Sequence, residues 1–257
     1  VLLVPVSHAN VVWLDDLDST AAFAERLTKE WLTAQEEPLA DTLLVAQRQH
    51  AGRGRGEHSW ESPDGGLYAN WLAWVPASAL SVVPMAVGVT LASAVEALRP
   101  AVSVGLKWPN DLVAAGRKLG GILCQSRGSG DSMWVSVGFG INLTTTPELG
   151  AGDEVRAVSL RDLGWVGEAR DGIRALSEAF LAGIRGALEN PEATRKQWAR
   201  RTVHRKGEMI LLKLRDEVVE GRFVSFDADG LLELEVQGRV RRYAVGEILF
   251  GCDSGGS

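Results

Sequence analysis

Apolar positions along the chain change their period several times, and the changes divide it into elements. Val11 to Leu14 is a short strand-like run. Phe23, Leu27 and Trp31 then recur at four-residue spacing behind the turn-and-capping run Asp15 to Thr20, which predicts a helix with one apolar face. Thr42 to Arg48 predicts a strand. After the turn signal Ser62-Pro63-Asp64-Gly65-Gly66, Leu67 to Val75 predicts another that returns like a hairpin. Leu80 to Leu98 carries no charge before Glu96 and spaces Val83, Val87, Leu91 and Val95 by four, a buried helix with Pro84 in its tolerant first turn. Val102 to Lys107 predicts a strand ending at Trp108-Pro109-Asn110-Asp111. Leu119 to Cys124 follows the turn Ala115 to Lys118, and Trp134 to Leu143 is a further strand.

Beyond a polar loop, Thr144 to Glu154, the residues Ser159 to Leu163 predict one helical turn. Asp171 to Leu188 places Ile173, Leu176, Phe180, Ile184 and Leu188 on one stripe, and Pro191 to Arg201 forms a last helix around Trp198. The period then shortens to two. Met209 to Leu214, Val218 to Phe226, Leu231 to Val236 and Arg239 to Val245 alternate between turn signals, which predicts a small all-β module. The expected class is α/β (α+β), with a first domain over 1–202, a second over 203–257, and a frayed tail from Asp253 to Ser257.

The candidate chemistry lies in the stretch from Gln49 to Trp60. Gly52, Gly54 and Gly56 alternate with Arg53 and Arg55, giving a backbone able to approach a ligand and two forked guanidiniums suited to carboxylate or phosphate. By itself the stretch equally suits a flexible solvated turn or an Arg-Gly segment that touches RNA. Composition narrows this. The net charge of -6 over 257 residues argues against a general nucleic-acid surface and for a small anionic ligand.

The two cysteines, Cys124 and Cys252, are too few for a disulfide framework. Neither a signal segment nor an apolar run of membrane length occurs, so a cytoplasmic location is expected. Lys107 and Lys118 flank a tight turn that can bring both ammonium groups toward Arg53 and Arg55, a cluster of four cations. Glycines interrupt the later strands at Gly120, Gly121, Gly138 and Gly140. They mark bulges, a ligand lying flat on the sheet, or close packing of sheet on helix.

Gly52-Arg53-Gly54-Arg55 followed by Trp60, then Lys107 to Asp111, Lys118 to Leu123 and Gly138 to Asn142, resemble in order the four signature blocks of the biotin protein ligases, or biotin–[acetyl-CoA-carboxylase] ligases, and the match begins at Asp18-Ser19-Thr20. The resemblance covers nearly the whole chain. It implies a mixed-sheet catalytic domain like that of class II aminoacyl-tRNA synthetases and biotin/lipoate ligases, followed by an SH3-like barrel. It implies that biotin is activated by Mg-ATP to biotinyl-5'-AMP and passed to a lysine of a biotin carboxyl carrier domain; it also allows a homodimer.

By the same resemblance Lys118, Arg53 and Arg55 are catalytic. Ser19, Thr20, Ala21, Gln49, Arg53, Gly54, Arg55, Lys118, Gly120 and Gly121 hold biotin; Arg53, Arg55, Trp60, Lys107, Asn110, Lys118 and Asn142 hold the nucleotide. Asp111 helps carry Mg²⁺, for which there is no dedicated motif. Three departures stand out: Glu57 and His58 occupy places where the family usually has glycine and arginine, Ala21 stands where asparagine is common, and only about ten residues precede Val11, short of a DNA-reading three-helix module. Operator binding is therefore not expected. A lipoate-type ligase and a catalytically weakened biotin-binding protein are the rival readings.

Overall fold

The computed structural model describes residues 2–6, 9–34, 40–56, 58–128, 130–147 and 156–249, with side chains from residue 9 onward. Glu57, Cys252, the tail from Asp253 and the later part of the loop Thr144 to Glu154 lie outside the described residues. The larger sheet comprises β1 (Leu2–Val6), β2 (Ala9–Leu17), β3 (Asp41–Gln49), β4 (Gly66–Pro76), β5 (Gly105–Lys107), β6 (Asp111–Ala114), β7 (Arg117–Arg127) and β8 (Ser132–Asn142). Their spatial order is β1-β2-β3-β4-β8-β7-β6-β5. Only β2 and β3 run parallel, because helix α1 (Thr20–Ala34) crosses over between them; every other neighbour is antiparallel. The sheet is mixed, as expected.

One face of this sheet is buried under α2 (Val83–Leu98) and α3 (Ala169–Glu189), with α4 (Pro191–Arg201) against α2. Trp71 and Phe139 from the sheet meet Phe180 of α3 there, at ring separations of 6.0 and 4.8 Å. On the other face α1 seats Ala24 against Leu44, Leu72 and Trp134, and Trp31 stacks on Trp134 at 4.7 Å. The part of that face carrying Gly121 and Gly140 is left to the glycine-arginine loop.

The alternating C-terminal segment forms a separate antiparallel sheet: β9 (Met209–Lys213), β10 (Val218–Phe226), β11 (Leu232–Val236), β12 (Arg239–Tyr243) and β13 (Glu247–Leu249), in the order β12-β11-β10-β9-β13. Its core of Ile210, Leu212, Phe223, Leu234 and Ile248 also takes in Trp108 from the first part of the chain. Three strands escaped the sequence reading. β1, β6 and β13 are three to five residues long, too short to display a period. The strand expected from Val102 begins only at Gly105, and the helical turn expected over Ser159 to Leu163 is a run of hydrogen-bonded turns extending to Gly164. No helix among the described residues is long and apolar enough to cross a membrane.

Candidate active site

Lys118 sits on the second residue of β7, not in a turn as the sequence suggested. Its backbone N–H donates to the Arg156 carbonyl at 2.9 Å and its carbonyl accepts from Val158 N–H at 2.9 Å, so both sides are fixed. The register of β6 against β7 slips between Leu112 and Val113, which pair with Gly120 and Lys118. That bulge answers an arithmetic problem. Lys118 and Gly121 are an odd number of residues apart, so an unbroken strand would send them to opposite faces, yet a Cβ on Gly121 would stand 3.6 Å from Lys118 Cε. Lys118 Nζ lies 2.8 Å from Asp111 Oδ1 and 5.5 Å from the centre of the Trp60 ring.

The glycines of β8 make room for that ring. A Cβ on Gly140 would fall 2.5 Å from the Trp60 indole, so only glycine admits it. Gly120 points the other way: its missing Cβ would strike the Gly140 carbonyl at 2.5 Å, and it is the one expected site residue that does not line the cavity. The pleat, which turns Gly120 away from the face that holds Gly121, is the reason.

The glycine-arginine loop folds back on itself. Gly54 N–H donates to the His58 carbonyl at 2.8 Å, Trp60 N–H to the Gly52 carbonyl at 2.9 Å, and Gly56 takes a left-handed φ of 59° at the tip. Each arginine has a partner. Arg53 reaches Glu25 of α1 at 3.1 Å, where Arg127 also binds, and Arg55 Nη1 donates to the Gly246 carbonyl ahead of β13 at 2.9 Å. Burial pulls the Arg55 pKa down, with Asp111 and Glu247 opposing it.

At the start of α1 the polar groups satisfy one another. Gln49 Oε1, from the end of β3, accepts from Thr20 N–H at 2.7 Å and from Thr20 Oγ1 at 3.0 Å, capping the helix from outside. Gln49 Nε2 donates to Ser62 Oγ at 2.8 Å, and Ser19 Oγ accepts from Ala21 N–H at 3.2 Å. Asn142 and Asn110, expected beside a nucleotide, are engaged with the backbone around Lys118. Asn142 Nδ2 donates to the Val158 carbonyl at 3.2 Å and Asn110 Nδ2 to the Ile122 carbonyl at 2.9 Å.

Trp108 explains why the small sheet sits where it does. Its indole enters that sheet's core and Nε1 donates to the Gly230 carbonyl at 3.2 Å, so the run carrying Lys107, Asn110 and Asp111 is held between the two sheets. Trp108 N–H donates to Nε2 of the buried His204 at 3.2 Å, which requires a neutral imidazole. Burial, aided by the Lys107 charge, pushes the His204 pKa down to about 4. A group that stays neutral in the fold but protonates when unfolded loses stability as pH falls. The loss begins near the unfolded value of ~6.5, proceeds to about pH 4, and totals roughly 3 kcal/mol. Urea unfolding of wild type and His204→Gln at pH 7 and pH 5 checks this: the wild type is expected to lose more of its midpoint than the variant.

A cavity of about 710 Å³ gathers Ser19, Thr20, Ala21, Gln49, Arg53, Gly54, Arg55, Trp60, Lys107, Asn110, Asp111, Lys118, Gly121 and Asn142. The sequence reading missed Lys213, Gly246 and Glu247 of the second sheet, which close the same cavity. Glu25, Arg53's partner, was missed too; a lone glutamate on a helix gives no signal. Arg53, Arg55, Lys107, Lys118 and Lys213 face Glu61, Asp111 and Glu247 there, an excess of positive charge fit for a polyanion. Asp111 is tied to Lys118, and no cluster of three metal-ligating side chains exists among the described residues.

Comparison with known proteins decides the family. Residues 19–142 match the model of the biotin/lipoate A/B protein ligase family. The chain is 31% identical to the biotin–[acetyl-CoA-carboxylase] ligase of Mycobacterium tuberculosis, over 80% of this chain and 78% of that protein. The chain belongs to the biotin/lipoate A/B protein ligase family. It is also 31% identical to the bifunctional ligase/repressor BirA of Salmonella typhimurium, over 95% of this chain and 75% of that protein. Among solved structures, the biotin protein ligase of Aquifex aeolicus in complex with biotin and ATP superposes with a TM-score of 0.71 at 26% identity, covering 93% of this chain and 97% of the other.

Proposed function

We propose that this chain is a biotin protein ligase, with 1–202 as the catalytic unit and 203–257 as a module that closes the site. One observation supports the reading most: a single cavity joins a glycine-floored slot, bordered by the Ser19, Thr20 and Gln49 cluster, to the cations Lys118, Arg53, Arg55 and Lys107. A neutral bicyclic urea suits the first and a triphosphate the second. Ser19, Thr20, Ala21, Gln49 and Gly121 border the biotin end; Trp60, Lys107, Asn110 and Asn142 border the nucleotide end.

In the first step an oxygen of the biotin carboxylate attacks the α-phosphorus of ATP, and the bond to the bridging oxygen breaks as pyrophosphate leaves. Lys118 stands where carboxylate and α-phosphate meet, and its charge, with those of Arg53 and Arg55, offsets the negative charge that builds on phosphorus. The bulge and the paired backbone bonds at Lys118 hold that ammonium in place before substrate arrives. In the second step a carrier lysine amine attacks the acyl carbon of biotinyl-5'-AMP, forming an amide, releasing AMP and losing one proton. Mg²⁺ would be carried by the triphosphate, with Asp111 the carboxylate proposed to help hold it, since no cluster of three metal-ligating side chains exists among the described residues. Incubation with Mg-ATP, an apo biotin carboxyl carrier domain and either biotin or lipoate, read by intact mass, tests the reading. A biotin mass increment on the carrier is expected; lipoate transfer, or no transfer, would overturn it.

A further inference from the structure

Asn70 lies in the middle of β4, entirely shielded from solvent. Its Oδ1 accepts from Ser136 Oγ at 3.1 Å, while its Nδ2 has no hydrogen-bond partner. Leaving a buried amide N–H unpaired is costly, and a valine would fill the position in a strand without that penalty. The amide is also placed where a ligand would meet it. Asn70 stands directly opposite Gly138 in the antiparallel register, so both project toward the same face, and a Cβ on Gly138 would lie 3.4 Å from Asn70 Nδ2. Gly138 lines the cavity, so whatever fills the space its missing side chain leaves rests against that N–H group.

The Thr20 hydroxyl and the Gln49 amide are already bonded to each other and the amide to Ser62, whereas the donor beside the floor is unspent. A second unpaired donor, Trp60 Nε1, lies over the neighbouring Gly140. We propose that Asn70 Nδ2 donates a hydrogen bond to an acceptor atom of the bicyclic ring of the acid substrate, making Asn70 a specificity-determining residue of the slot; this rests on the ligase reading above. The ring system offers two such atoms, the urea oxygen and the thioether sulfur.

The test is a pair of variants titrated calorimetrically with biotin, desthiobiotin, which lacks the sulfur, and 2-iminobiotin, which lacks the urea oxygen. In Asn70→Val/Ser136→Ala both partners of the buried hydrogen bond become apolar, and valine's methyls stop one bond short of the amide atoms, so nothing intrudes on the slot. Its melting temperature is expected to equal or exceed wild type, while its affinity for biotin falls about five- to tenfold, the worth of one hydrogen bond. Ser136→Ala alone keeps the donor and is expected to bind biotin within about twofold of wild type. Wild type and double variant should bind alike the one analogue that lacks the accepting atom, which identifies that atom. Unchanged biotin affinity in the double variant, or an equal loss on all three ligands, would overturn the role of Asn70. Wild type that binds none of the three would overturn the ligase reading itself.

Discussion

Lys118→Ala is expected to release pyrophosphate from biotin and ATP about two to three orders of magnitude more slowly than wild type. That is the loss typical of removing one preorganised electrostatic group at a developing negative charge. The fold should persist, because the bonds that fix Lys118 to Arg156 and Val158 come from its backbone and survive the substitution. What changes locally is Asp111, whose side chain is 16% exposed and loses its cation. The Arg55 charge, which also acts on Asp111, remains and keeps that penalty below the ~3–5 kcal/mol of orphaning a fully buried charge. Pyrophosphate release and thermal unfolding measured on the same preparation separate the two effects. Release near the wild-type rate would remove Lys118 from the chemistry, and a collapsed melting temperature would show that the pair with Asp111 is structural first.

Arg55→Gly is expected to slow adenylate formation without abolishing it, since Lys118 and Arg53 remain, and to spoil the intermediate's retention. An acyl-adenylate is open to attack by water and by any amine, so the site must cover it until the carrier docks. The structure gives Arg55 a second task beyond charge. Through the Gly246 carbonyl it ties the tip of the loop to the segment just before β13, so the small sheet and the loop close the cavity together. Substitution by glycine removes that tie and the cation and adds backbone freedom at the tip. The hydrogen bonds from Gly54 to His58 and from Trp60 to Gly52 need no side chain at 55 and should persist. A charge-assisted hydrogen bond is worth ~1.5–3 kcal/mol, so free biotinyl-5'-AMP and stray labelling of exposed lysines should rise by about tenfold or more. A streptavidin blot of albumin incubated with enzyme, biotin and ATP reads the labelling, and thin-layer chromatography reads the free adenylate. Adenylate made but held as tightly as by wild type, with albumin unlabelled, would show that Arg55 does not hold the loop closed.

By itself the sequence determined the elements with a sustained period and the blocks of residues that carry the chemistry. The stripe Ile173 to Leu188 and the spacing of Val83 to Val95 could only be helices, the first burying one side and the second most of its surface. The alternation after Glu208 could only be strands, because the period of side-chain burial is a local property of the backbone. The glycine-arginine loop with Lys107, Lys118 and Asp111 was likewise legible, since reactive residue types leave their mark in composition and spacing.

Tertiary structure decided everything that depends on which segments become neighbours. The bulge opposite β6 turns Lys118 and Gly121 to one face and Gly120 to the other, and no reading of alternation in β7 alone reveals a register slip with its partner strand. Trp108 read only as the end of a strand, yet its indole belongs to the core of a sheet formed more than a hundred residues later. Arg55 finds its partner at Gly246, Arg53 at Glu25, and Asn70 its empty donor position beside Gly138, across sequence separations that local pattern does not encode. A hydrogen bond or an unpaired amide belongs to two places in space at once, and only the folded chain brings those places together.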